Sequence, residues 1–269
     1  MDMKGVGSWA SSRLTEFNVG LDTGKRLGRL GLSRRIVTAS DDPSGAGIAA
    51  RMRARAYAFG QTRDNAARGM DLTRSTSGAL DGIGDSLTRM RELAMQSANG
   101  ALSAADHASL DAEFQSLKQG ITSQLDGEFN GIKMFSGNAV SVAINPDGKT
   151  PVQVTMPDGA ELDQVQTLSV GSVSASSDAI GELDAALDSV ASMQANLGAN
   201  QSALSSALQG QAEAEMQLAR AESRIADADV ARESSGLAAA NLLEHATVAM
   251  QLHSQMDALR VGDLLSAPF

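Results

Sequence analysis

The chain has 269 residues with 1 Trp, 1 Tyr and 6 Phe, so aromatics make up only 3% and Ala, Leu, Met and Val must supply most of the buried area. A hydrophobic share of 42% argues against wholesale disorder and toward a thin, extended or intermolecular core, while 0 Cys excludes disulfides, thiolate metal sites and cysteine catalysis. The net charge of -10 excludes general nucleic-acid affinity, yet residues 1–75 carry 13 Lys and Arg against 7 Asp and Glu while the remainder carries 9 against 25, a polarity suited to a head-to-tail partner of the same kind.

Met1-Asp2-Met3-Lys4 leads into polar sequence without an apolar signal-peptide core, and no apolar run reaches the roughly 18 residues of a bilayer span. Membrane insertion is therefore not expected, and export would use a route without a cleaved signal. From Asp41 to Asn99 the pattern predicts a helix. Ser40-Asp41-Asp42-Pro43 provides a cap and an early proline, and Leu80, Ile83, Leu87, Met90 and Ala94 recur at 3 and 4 as a heptad seam. A second helix is predicted over Ser103–Gln124, opened by the box-like Ser103 and Asp106 and carrying the stripe Leu110, Phe114, Leu117, Ile121 and Leu125. The short connection between the two predicts antiparallel packing.

Between Phe129 and about Ser174 short β segments replace helix. Val140–Ile144 and Val152–Met156 flank the turn Asn145-Pro146-Asp147-Gly148 and predict a hairpin. From Ser177 to Ala258 helical periodicity returns and barely stops, through Leu183, Leu187, Val190, Leu197 and Leu204 to Leu242, Leu252 and Met256. The expected fold is thus mainly α: long antiparallel helices or coiled coil from both chain termini, with a small β-hairpin region in the middle. Residues 1–40 and 230–269 are expected to form one inner helical domain, and 41–229 a second domain of long helices with its hairpin at about 129–175. Leu30, Ile36, Leu242, Leu252 and Leu259 are the candidate subunit-packing residues, because the terminal seams are weakly apolar and small-residue-rich.

Catalytic motifs are missing. Gly24-Lys25-Arg26 has part of a phosphate-loop pattern with wrong glycine spacing, and Gly45-Ala46-Gly47 lacks the third glycine and the strand of a dinucleotide site. His107, His245 and His253 show no zinc spacing. Asp227 and Asp229 near Glu222 read as a charged helix face rather than an acid–base pair. No catalytic, metal or cofactor site is expected.

Several stretches resemble bacterial flagellin. Arg29–Ile36 with Ser40–Gly45, Arg63–Gly69, Ser77–Leu80, and above all Arg89-Met90-Arg91-Glu92-Leu93-Ala94-Met95-Gln96-Ser97-Ala98-Asn99-Gly100 are similar to its N-terminal helices. Phe129–Phe135 resembles the start of its β-hairpin, and Glu222-Ser223-Arg224-Ile225-Ala226-Asp227-Ala228-Asp229 its C-terminal helix. The usual outer domains would be inserted where Val140–Ser176 stands, which leaves no room for them. The resemblance therefore implies a minimal, secreted filament subunit of the bacterial flagellum, a non-enzymatic protein whose main partner is its own copies. It further implies a flagellar export chaperone, the flagellar type III export apparatus, and filament cap and hook-junction proteins as partners. Recognition by the flagellin-sensing Toll-like receptor would fall on Arg89, Leu93 and Glu113, for which filament packing is the alternative role. Asp41-Asp42-Pro43 is closer to the hook–filament junction protein of the same family, which is the alternative identity.

Overall fold

The computed structural model describes the backbone of residues 20–266 and the side chains of 20–257 apart from Ser254. Of the inner segments expected from sequence, residues 1–19, residues 267–269 and the Leu259 side chain lie outside the described residues. Helix α1 covers 20–32, α2 Pro43–Ser97, α3 Ala104–Leu125, α4 Val173–Ala226 and α5 Val230–Ser266. Between α3 and α4 lie strands β1 (Glu128–Phe129), β2 (Ile132–Lys133), β3 (Ala139–Val142) and β4 (Val152–Thr155), then a 3-10 helix over Gly159–Thr167.

Local chemistry sets these boundaries. Asp42 accepts the Gly45 N–H at 2.8 Å, and Pro43 occupies the first helical position, where an amide hydrogen has no partner. Gly45 has no alternative there, since a Cβ would stand 2.9 Å from Ile36 Cδ1 and closer still to the capping carboxylate. Helix α3 opens with the full capping box: Ser103 accepts from the Asp106 N–H, and Asp106 accepts from the Ser103 N–H at 3.0 Å. Replacing Ser103 by alanine is expected to destabilise the fold by about 1 kcal/mol. Urea melts of the two proteins check it through a lower midpoint at constant slope.

The β region is two separate antiparallel pairs. Asn130 and Gly131, both at positive φ (51° and 78°), join β1 to β2 in the mirror-image turn that matches strand twist. Ala139 pairs with Thr155 and Val142 with Val152, which turns Val142 and Val154 inward. Where sequence suggested continued β structure to Ser174, a 3-10 helix stands instead, capped by Asp158 on the Ala160 N–H and burying Leu162 and Val165. The C-terminal helix, read as nearly unbroken over 177–258, is two helices. Asp229 accepts the Arg232 N–H at 3.1 Å and so caps a new start, while the backbone at the break pairs elsewhere: Arg35 N–H donates to Ala226 O at 2.7 Å and Ala228 N–H to Ser33 O at 3.0 Å.

The described residues divide into two compact units, one of those up to Ala54 with those from Gln217, the other of Arg55–Met216. The larger unit holds a continuous core: Leu80, Ile83, Leu87, Met90 and Ala94 of α2, Phe114 and Ile121 of α3, and Leu183, Val190, Leu197 and Leu204 of α4. Gly69 lets the hairpin approach α2, because a Cβ there would already be 3.0 Å from Val142. The loop before α4 is tied to α3 by Asp111, which accepts from Val170 N–H at 2.8 Å and Ser169 Oγ–H at 3.0 Å.

Burial pushes the Asp111 carboxyl up, but the Val170 amide, Ser169, Gln115 and Lys118 together hold it below its usual value. Asp106 is lowered by the Ser103 hydroxyl and amide. A carboxylate lowered by folding stabilises the fold above its unfolded value of about 3.9 and loses that contribution as pH falls through the folded value. The melting temperature is therefore expected to hold above about pH 4 and to fall below it. Asp111→Asn should flatten part of that fall in a pH series of thermal melts.

Candidate assembly surface

Helix α5 is inside out. At 100° per residue the positions of Leu242, Leu243, Met250, Val248, Leu252 and Met256 sweep roughly 220° of its circumference. All six are exposed, Met250 by 75% and Leu242 by 71%. The side turned inward carries Gly236, Ala240, Glu244, Thr247 and Gln251, which are small or polar and at least half-buried, with Leu237 the one large apolar side chain partly covered beside them. A soluble helix ordinarily does the reverse, so α5 presents an exposed apolar surface of the kind that marks interaction sites. Helix α1 behaves likewise, with Leu21, Leu27 and Leu32 exposed while Arg26 and Arg29 turn inward.

Ion pairs do the internal holding in this unit. Glu233 stands between Arg26 (3.3 Å) and Arg29 (3.6 Å), and Arg29 also lies 3.8 Å from Asp41. Glu222 stands between Arg34 and Arg53, each at 2.5 Å. Each glutamate is mostly covered and each joins the N-terminal to the C-terminal stretch, so these ion pairs hold the unit together beside the few apolar side chains it buries, Ile36 among them. The Asp41 carboxyl is held low first by the Thr38 amide, and the Asp42 carboxyl first by the Gly45 amide.

Of the candidate packing residues, Ile36 is buried under Gly45, Leu30 is half-buried, and Leu242 and Leu252 are exposed on the outer arc of α5. The other candidate set lies in the larger unit. Arg89 binds Glu113 at 2.8 Å and Glu92 at 3.0 Å on the exposed side, whereas Leu93 is only 1% exposed and belongs to the core. Of the three, therefore, only Arg89 and Glu113 lie on the surface, and Leu93 packs inside α2's buried side.

The remaining motifs have local roles. Gly24-Lys25-Arg26 lies inside α1, with Arg26 bonded to Asp22 at 2.9 Å, so no loop exists to cradle a phosphate. Asp227 accepts the Ser223 hydroxyl at 2.6 Å. His107 is buried beside Ser97, while His245 and His253 are exposed. Sequence reasoning missed Arg26, Arg34, Arg53 and Glu233, because nothing local marks partners that lie far apart in the chain. Among the described residues no helix is long and apolar enough to cross a membrane.

Compared with known proteins, the profile of the bacterial flagellin N-terminal helical region matches residues 21–140 and that of the C-terminal helical region residues 180–265. The flagellar filament 30.7 kDa core protein of Treponema maltophilum is 32% identical over 257 residues, covering 88% of this chain and 90% of its own. The flagellin of Halalkalibacterium halodurans is 30% identical over 251 residues, covering 90% and 91%. The crystal structure of Bacillus cereus flagellin superposes with a TM-score of 0.52 at 25% identity, covering 55% of this chain and 88% of that one. A putative flagellar hook-associated protein from Vibrio parahaemolyticus shares the fold, with a TM-score of 0.59 at 17% identity over 70% of this chain.

Proposed function

From the premise that the chain belongs to the bacterial flagellin family, we propose that it is a structural subunit that stacks helically with copies of itself into a flagellar filament serving motility. The inside-out arrangement of α5 carries this reading. Large apolar side chains on the outside and ion pairs on the inside suit a chain whose apolar contacts are made between subunits. In this reading 1–40 and 230–269 form the filament core and 41–229 a rod domain of long helices with its hairpin at about 129–175, without outer domains. No catalytic step or cofactor belongs to it.

The same family membership supports export through the flagellar type III apparatus and a chaperone that covers the C-terminal helix until release. Filament cap and hook-junction proteins would be its neighbours at the two filament ends. Recognition by a Toll-like receptor would rest on Arg89 and Glu113. Seeded polymerisation followed by electron microscopy tests the central claim: long filaments are expected. A chain that only capped the ends of added seeds would instead be a hook–filament junction protein, and one that did neither would refute both readings.

A further inference from the structure

Ser97 Oγ lies 2.7 Å from His107 Nδ1 and 2.5 Å from the Val170 carbonyl oxygen, and Ser97 is fully buried. A hydroxyl has one proton to give, and a carbonyl oxygen can only accept. The Ser97 proton therefore goes to Val170, which leaves the hydroxyl oxygen as acceptor toward the ring. Ser176 does not alter this, because its own proton has a nearer acceptor in Ser172 O at 2.8 Å than in Val170 O at 3.3 Å.

We infer that neutral His107 carries its proton on Nδ1, and that His107, Ser97 and Val170 form a latch whose hydrogen-bond direction is the same for the neutral and the charged ring. A second proton would enter at Nε2, which takes no part in the chain of bonds. The latch closes the loop before α4 onto the last residue of α2 and the first turns of α3. The capping box contributes by placing His107 immediately after Asp106, on the turn that faces Ser97. Asp111 and Lys118 complete the closure from α3, Asp111 on Val170 N–H and Lys118 Nζ donating to Leu168 O at 3.1 Å. On its own helix the ring has Asp106 beside it and Asp111 one turn on; from α2 Ser97 bonds it and passes the bond to Val170 of the loop, and neither of these titrates. Because a second proton would enter at Nε2, the bonds of this latch need no rearrangement when the ring is charged.

Long-range nitrogen–proton correlation spectra of the monomeric full chain, with the ring signals assigned through variants of His245 and His253, read the tautomer directly. At pH 8 a protonated Nδ1 and an unprotonated Nε2 are expected for His107, with amide exchange protection at Val170 and Ser176 unchanged down to pH 5. An Nε2-protonated ring at pH 8, or protection lost as the ring charges, overturns the inference. His107→Asn keeps a donor close to the Nδ1 position and should retain protection at Ser176, whereas His107→Leu should lower it about tenfold. Equal losses in the two variants would reduce the ring to a space-filler.

Discussion

Leu242→Asp and Leu252→Asp, singly or together, should abolish filament growth at concentrations where the unaltered chain polymerises fully, while leaving the far-ultraviolet circular dichroism of the monomer unchanged. Both side chains are already exposed, by 71% and 58%, so placing a carboxylate there costs the folded monomer little. In an assembled contact each substitution removes about 1.5–3 kcal/mol of apolar burial. It also forces a charge out of water with no partner, a penalty of several kcal/mol. The contact recurs at every subunit, so the loss applies to each step of growth. Glu244→Ala, on the inward side of the same helix, is the matched control and should still polymerise. Filaments of normal length from the doubly substituted chain, seen by electron microscopy and sedimentation, would remove α5 from the assembly interface.

What could be read from sequence was whatever lies within a few residues along the chain. The seam Leu80, Ile83, Leu87, Met90 and Ala94 is buried throughout, because a 3-4 spacing states which side of a helix is covered. Ser103 and Asp106 announced a helix start for the same reason: all partners of a capping box sit within one turn. The break between α4 and α5 was not legible, since Asp227–Asp229 interrupt no periodicity and their backbone is satisfied by residues 33–36, far away in the chain. The 3-10 segment was hidden because its few apolar residues fit a strand as well as a tight helix. At the candidate site the weakly apolar, small-residue-rich seam of α5 already suggested packing between subunits, but the ion pairs that fill its inner side were not legible. Period alone marks an apolar side; whether that side faces its own chain or another depends on Arg26, Arg29 and Glu233, which already fill the inner side. Leu93 shows the same limit, as a residue carried over by motif whose burial only the packed helices reveal.

Phe114 is a large, fully buried side chain of the larger unit's core. It is the only aromatic side chain with no exposure among the described residues, and it comes from α3, the short helix that fastens the loop before α4 through Asp111 and Lys118. Aromatic residues are 3% of the chain, and the core cluster that holds Phe114 is otherwise mostly aliphatic, with Phe135 its one other buried ring among the described residues. Phe114→Ala is expected to destabilise the unit by about 3–5 kcal/mol, combining lost transfer energy with a cavity that long, rigid helices cannot collapse to fill. Folded domains hold about 5–15 kcal/mol in total, so this is a large fraction, and thermal melts should show a midpoint lower by roughly 6–20 °C. Phe114→Leu, which keeps most of the volume, should recover more than half of that difference. Because Phe114 lies far in sequence from α5 and contributes nothing to its exposed arc, Phe114→Ala should still join filaments at temperatures well below its own melting point. That outcome would separate loss of fold from loss of assembly, and filaments absent at such temperatures would show that the unit around Phe114 also sets the geometry on which stacking depends.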